Sequence, residues 1–172
     1  MLSTLLMLVM SCEKETTITE NEEEQGTENT ETFSIEAVNL GLSVMWANCN
    51  VGANYPEGFG DLYEWRDNIP WGKKWRLPSL SEIKELHDKC TWVWTKQKEI
   101  NGMLVTGPNG NSIFLPAAGC QDEKGIQFQD VVGTYWGDTY EGSTPIFTFG
   151  STGSFINDGG NSIKRSIRPV SE

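Results

Sequence analysis

The sequence predicts an α+β domain built from one main helix, short antiparallel strands and long loops. Helix signals are strong only once, at residues 79–90. Elsewhere, short β-branched or aromatic runs alternate with stretches rich in Gly, Asn and Ser. All seven Trp and all seven Phe fall within residues 33–172, which can therefore bury a sizeable core. A chain of 172 residues with this distribution is one domain plus extras.

The extras come first. Residues 2–10 form an apolar run far too short to cross a bilayer as a helix, which needs about 20 apolar residues. The length suits the apolar region of a secretory signal. Val9-Met10-Ser11-Cys12 resembles a bacterial lipobox: an aliphatic residue, a variable one, a small one at the cleavage point, then a nucleophilic sulfur. The resemblance implies that residues 1–11 are removed and that Cys12 is lipidated. It departs from the pattern in having no Lys or Arg before the run, and the alternative reading is a loose hydrophobic N-terminus. Glu13, Lys14 and Glu15 resemble the export signal of Bacteroidetes surface lipoproteins, which implies an outer-membrane lipoprotein exposed at the cell surface. Residues 13–32 hold eight Glu, one Lys and no aromatics. Ordering such a tract costs backbone entropy that no burial offsets, so residues 12–32 are expected to be a disordered acidic tether reaching at most about 70 Å.

Within residues 33–172 the elements follow in order. Val38-Asn39-Leu40-Gly41-Leu42 and Val44-Met45-Trp46-Ala47 read as strands around a Gly. Ser79 and Glu82 have capping-box spacing, and Leu80, Ile83, Leu86, His87 and Cys90 follow on one helical face. Residues 91–95 are β-branched and aromatic, as strands prefer. Residues 103–106 and 112–115 flank Gly107-Pro108-Asn109-Gly110-Asn111, whose Asn-Gly step signals a hairpin. Residues 134–136, 146–149 and 166–170 are the later strands, separated by Gly-rich turns such as Asp158-Gly159-Gly160.

The net charge of −11, without a Lys/Arg cluster, argues against nucleic acid and against electrostatic binding to anionic lipid. Any membrane contact is expected through the N-terminal lipid alone. An oxidising compartment permits a disulfide, and a Cys49–Cys90 bridge is one possibility; burial of these thiols as small hydrophobes is the other.

Several phrases together resemble a known family. "VNLGLSVMWANCNVGA", "GDLYEW", "WGKKWRLPSLSEIKEL", "CTWVWT", "GNSIFLPAAG", "GTYWG" and the terminal "SIRPV" resemble the Fibrobacter succinogenes major paralogous domain, over about residues 36–170. This family is common among lipoproteins of gut Bacteroidetes. The resemblance implies a C-type lectin-like fold, in the branch shared with formylglycine-generating enzymes and with the variable proteins of diversity-generating retroelements. It also implies that the first and last strands pair, placing Arg168-Pro169-Val170 beside residues 38–42. The chain departs from many relatives in a shorter insert before "WRLP" and in Gly137-Asp138-Thr139 after the "YW" pair. Both departures bear on the loop surface rather than on the fold.

Candidate chemistry is sparse. His87 is the only histidine, so a His-based triad or zinc site lacks partners, and a part-buried helix position is expected for it. Asp61 and Glu64 suit turns or salt bridges better than a glycosidase pair. Copper bound as in formylglycine-generating enzymes needs C-terminal thiols, yet no cysteine follows Cys120. Phe155-Ile156-Asn157-Asp158 resembles the calcium-binding strand of some lectins, without the companion loop. Most Trp are expected in the core, with Trp71 the one most suited to a loop.

Residues 137–164 have a different composition, with the Tyr, Ser, Gly, Asn and Asp character of recognition loops. In the retroelement-linked relatives the corresponding segment holds the diversified binding residues. Solvated turns are the bland alternative. The expected ligand-binding set is Trp71, Asp138, Tyr140, Glu141, Asn157, Asp158, Asn161 and Lys164. No catalytic set, metal or cofactor is expected. The function expected is adhesion to, or binding of, an extracellular protein or glycan. An envelope enzyme or sulfatase-maturation accessory, and a structural component of a surface assembly, are the alternatives.

Overall fold

The computed structural model describes residues 35–65, 67, 69, 73–138, 141–160 and 162–172. The expected signal and tether, with Cys12, and the expected site residues Trp71, Tyr140 and Asn161 lie outside the described residues.

The described part is mixed but mostly β. Its strands are β1 (Ala37–Val38), β2 (Met45–Ala47), β3 (Thr91–Gln97), β4 (Ile100–Thr106), β5 (Ser112–Pro116), β6 (Cys120–Asp122), β7 (Gly125–Gln127), β8 (Val132–Trp136), β9 (Pro145–Gly150), β10 (Gly153–Asp158) and β11 (Val170–Ser171). Helix α1 (Leu80–Lys89) precedes β3. The strands form four small antiparallel sheets, ordered β1-β2-β11, β3-β4-β5, β10-β9-β8 and β6-β7.

The helix starts where its capping box lies. The Ser79 hydroxyl accepts from the Glu82 N–H at 3.3 Å, and the Glu82 carboxylate accepts from the Ser79 N–H at 2.7 Å. These contacts satisfy donors that a helix N-terminus otherwise leaves without partners. Ile83 and Leu86 then point into the core beside Trp46, Met103, Val105, Leu115, Phe147 and Phe149. Trp92 packs against this core with its ring tilted, 5.0 Å from the centre of the Phe147 ring. A second, smaller cluster holds Val51, Trp136, Ile146 and Ile167. Trp46, Trp75 and Trp136 are buried; Trp65, Trp92 and Trp94 are partly buried against the two clusters.

The expected 38–42 strand stops at Val38, because Gly41 takes φ +77° and turns the chain. Leu40 still faces the core, while the Asn109 and Asn111 side-chain amides donate to the Asn39 carbonyl. The terminal strand therefore pairs with β2, at Val170↔Trp46, rather than with residues 38–42. β2 sits between β1 and β11. Upstream of β11, residues 164–166 make only isolated bridges, and Pro169 has no N–H to extend a ladder. The anticipated hairpin is present: β4 and β5 flank residues 107–111, with Gly110 at φ +88°.

Arg168 is buried at the centre of this construction. Its Nε donates to Asn50 Oδ1 at 3.0 Å, Nη1 to the Ala47 carbonyl at 3.1 Å and Nη2 to the Phe114 carbonyl at 2.8 Å. Asn50 in turn donates to the Tyr135 hydroxyl, which donates to the Pro116 carbonyl at 2.7 Å. One guanidinium thus ties the end of β2 to β5 and, through Asn50, to β8.

Cys49, Cys90 and Cys120 are all free, so the Cys49–Cys90 bridge considered from sequence is not formed. Cys49 is fully buried and behaves as the small hydrophobe that was the alternative.

Candidate functional site

The segment read from sequence as loops contains a strand. β9 and β10 pair through six residues, and Ser151 and Thr152 form the turn between them. Thus Asn157 and Asp158 belong to β10 rather than to a tight turn. The sequence signal was weak because Phe155 and Ile156 are the only apolar residues in β10, and one face of this edge strand is exposed.

The chain leaves β10 through Gly159, whose close approach explains its lack of a side chain. A Cβ there would sit 2.5 Å from Ile146 Cγ2 and 2.7 Å from Trp136 Cζ3. The Gly159 N–H donates to the Thr144 carbonyl at 2.9 Å, bringing residues 141–144 alongside the end of β10. Arg165 fixes the next stretch. Its guanidinium lies 4.3 Å above the Trp136 ring and donates to the Gly160 and Ile163 carbonyls at 3.0 and 3.1 Å.

These contacts place two adjoining hollows around one hydrogen bond, from the Ser143 hydroxyl to the Asp158 carboxylate. The first, about 430 Å³, is open and lined by residues 141–144 and 158–160, with Glu141 and Asp158 as its carboxylates. The second, about 310 Å³, has Leu80, Pro145 and Ile156 as apolar walls, and Lys84, Ser143, Asn157 and Asp158 as polar ones. Their sizes fall in or near the range of small-ligand sites. Acceptors dominate the first hollow, so it suits groups that donate, such as hydroxyls, amides or ammonium. The second offers both an apolar wall and a cation.

Glu141, Asn157 and Asp158 of the expected set are therefore brought together. Asp138 and Lys164 do not line either hollow. The Asp138 N–H donates to the Pro78 carbonyl at 2.8 Å, at the entry to α1. Lys164 pairs through its backbone with Gln121 and through its ammonium with Glu64, at 3.7 Å. Its polar segment reads as part of the loops, whereas the fold carries it to an isolated bridge with Gln121. Ser143, Thr144, Leu80 and Lys84 were not in the expected set. Leu80 and Lys84 read as ordinary helix residues, and only tertiary packing sets them against β10.

Among the described residues, His87, Tyr63 and the thiols are the other groups with chemical potential. His87 is half-buried, with Nδ1 2.9 Å from the adjacent Asp88 carboxylate and its ring 6.4 Å from those of Trp92 and Phe147. The Tyr63 hydroxyl donates to Asp61 at 3.3 Å; burial, then the Asp61 charge, pushes Tyr63 up to about 12. Burial raises all three described thiols above their ordinary value, partly offset at Cys49 by Arg168 and at Cys120 by Arg165. Raised thiols are poor nucleophiles and poor metal ligands at neutral pH. Among the described residues, no group of three or more His, Cys, Asp or Glu is placed to hold a metal ion.

No family model, no curated protein and no solved structure matches this chain.

Proposed function

We propose that this chain is a non-enzymatic, lipid-anchored surface protein whose C-type lectin-like head binds an extracellular protein or glycan. The observation that carries the reading is the meeting of Glu141, Asn157 and Asp158 at two hollows joined by the Ser143–Asp158 bond. These residues come from the segment whose Tyr/Ser/Gly/Asn/Asp composition suits recognition. They stand on a frame held by Gly159 and Arg165, so the surface is pre-organised, which lowers the ordering cost of binding.

The lectin-like assignment draws on the quoted phrases, on the one capped helix among the described residues and on β1 and β11, which share β2 as a neighbour. The cell-surface assignment draws on the lipobox at residues 9–12 and the acidic tract that follows.

The test is a glycan array and an extracellular-protein array probed with the full chain and with a variant carrying Glu141→Ala, Asn157→Ala and Asp158→Ala. A ligand held by the parent and lost by at least about tenfold in the variant, at unchanged melting temperature, is the expected outcome. Equal retention by both removes this surface from the reading.

A further inference from the structure

We propose that the edge of β10, with the hollow between it and α1, captures an extended peptide that carries a carboxylate. The proposal rests on the binding reading of the Ser143–Asp158 region and names its occupant.

The strand edge is the first ground. β10 is the outermost strand of its sheet. Its two-residue turn closes Gly150 against Gly153 as a hydrogen-bonded pair, and such pairs alternate along an antiparallel ladder. Phe155 and Asn157 are then bonded to β9, whereas Ser154, Ile156 and Asp158 turn their N–H and C=O groups away from it. The bond from Gly159 N–H to the Thr144 carbonyl keeps the same phase. Among the described residues, no backbone group of another element meets the outward set. Strand edges are commonly blunted by Lys, Pro or a bulge; β10 carries none of these, and its one charged residue, Asp158, stands at its end. An extended chain can add there by main-chain bonding.

The hollow is the second ground. An added strand projects alternate side chains to the Ile156 side of the sheet, and there the 310 Å³ space is walled by Leu80, Pro145 and Ile156. That combination gives affinity through the backbone and selectivity through one apolar side chain in every two.

Charge is the third ground. Lys84 lines the hollow from α1, is exposed, and forms no ion pair among the described residues. Lys84 is the one cation among the residues that line this hollow, and an ammonium without an ion pair beside an open strand edge favours a ligand with a carboxylate. The Asp158 carboxylate, at the other side of the hollow, already accepts from Ser143.

The experiment uses an array of synthetic linear hexapeptides, printed with free and with amidated C-termini and probed with the full chain. The best peptide is then titrated by fluorescence anisotropy. Free and amidated versions distinguish a terminal carboxylate from an Asp or Glu side chain. Ser154→Pro removes one outward N–H and leaves the β9 ladder intact, and it is expected to weaken binding about tenfold. N-methylation of alternate peptide residues gives the same loss without touching the protein's fold. Lys84→Gln weakens binding by about threefold to tenfold and flattens its salt dependence. Failure of every peptide to bind overturns the proposal, as does equal binding by the Ser154→Pro protein or by the N-methylated peptide. A glycan-array ligand lost in Asp158→Ala but kept in Ser154→Pro also overturns it, while leaving the binding surface itself standing.

Discussion

Replacing Arg168 with Met tests the central support of the fold. Arg168 is 2% exposed, and its guanidinium donates to three neutral oxygens, those of Asn50, Ala47 and Phe114. Among the described residues it has no carboxylate partner. Met fills most of the same channel but leaves those three acceptors without their donors. Each buried acceptor left without a donor costs about 1–3 kcal/mol. Against that, removing a buried cation returns part of its desolvation penalty, which runs to several kcal/mol. The balance is a loss of about 3 kcal/mol, or about 10 °C in melting temperature for a domain of this size. Arg168→Lys is expected to fall similarly, since one ammonium cannot reach three diverging oxygens. Thermal and urea melts followed by near-ultraviolet circular dichroism measure both variants. A Met variant as stable as the parent, or more so, would show that the acceptors re-pair and that the cation was a burden on the fold.

Two further outcomes follow from the site-independent chemistry. The Lys89 ammonium, followed by the Ser43 hydroxyl, holds the Glu85 carboxyl down at about 2, against an ordinary 4.5. A depressed carboxyl contributes stability above its unfolded value and loses it as pH falls through the folded one. The melting temperature should therefore drop between pH 4.5 and 2, and Glu85→Gln should flatten that part of the profile; an unchanged slope refutes the assignment. The Cys49 thiol is fully buried and raised by burial, whereas Cys90 and Cys120 are partly exposed. Iodoacetamide at pH 8, followed by peptide mass mapping, should label Cys90 and Cys120 in the native protein and reach Cys49 only after unfolding.

Much of the frame was legible because its signals are local. The Ser79–Glu82 box starts α1 where expected, and the Asn109-Gly110 step turns β4 into β5. The β-branched and aromatic run after α1 became β3, longer by two residues than expected. Gly41 cut the first strand short because a positive φ depends on the turn the chain must make there, not on the apolar pattern around it. β10 was missed because an edge strand with an exposed face needs little apolar patterning: its partner β9 supplies the ladder and most of the burial.

The amino-acid sequence by itself determined the acidic charge, the concentration of aromatics in one region, the capped helix, the hairpin turn at residues 107–111 and the polar composition of residues 137–164. Each is a property of single residues or of neighbours within a few positions. Only the tertiary structure decided that Lys84 and Leu80 stand against β10, that Lys164 pairs away from the hollows, and that Arg168 joins strands more than fifty residues apart. Those relations join residues far apart in the chain, and contacts at that separation leave no periodic trace in the sequence that makes them.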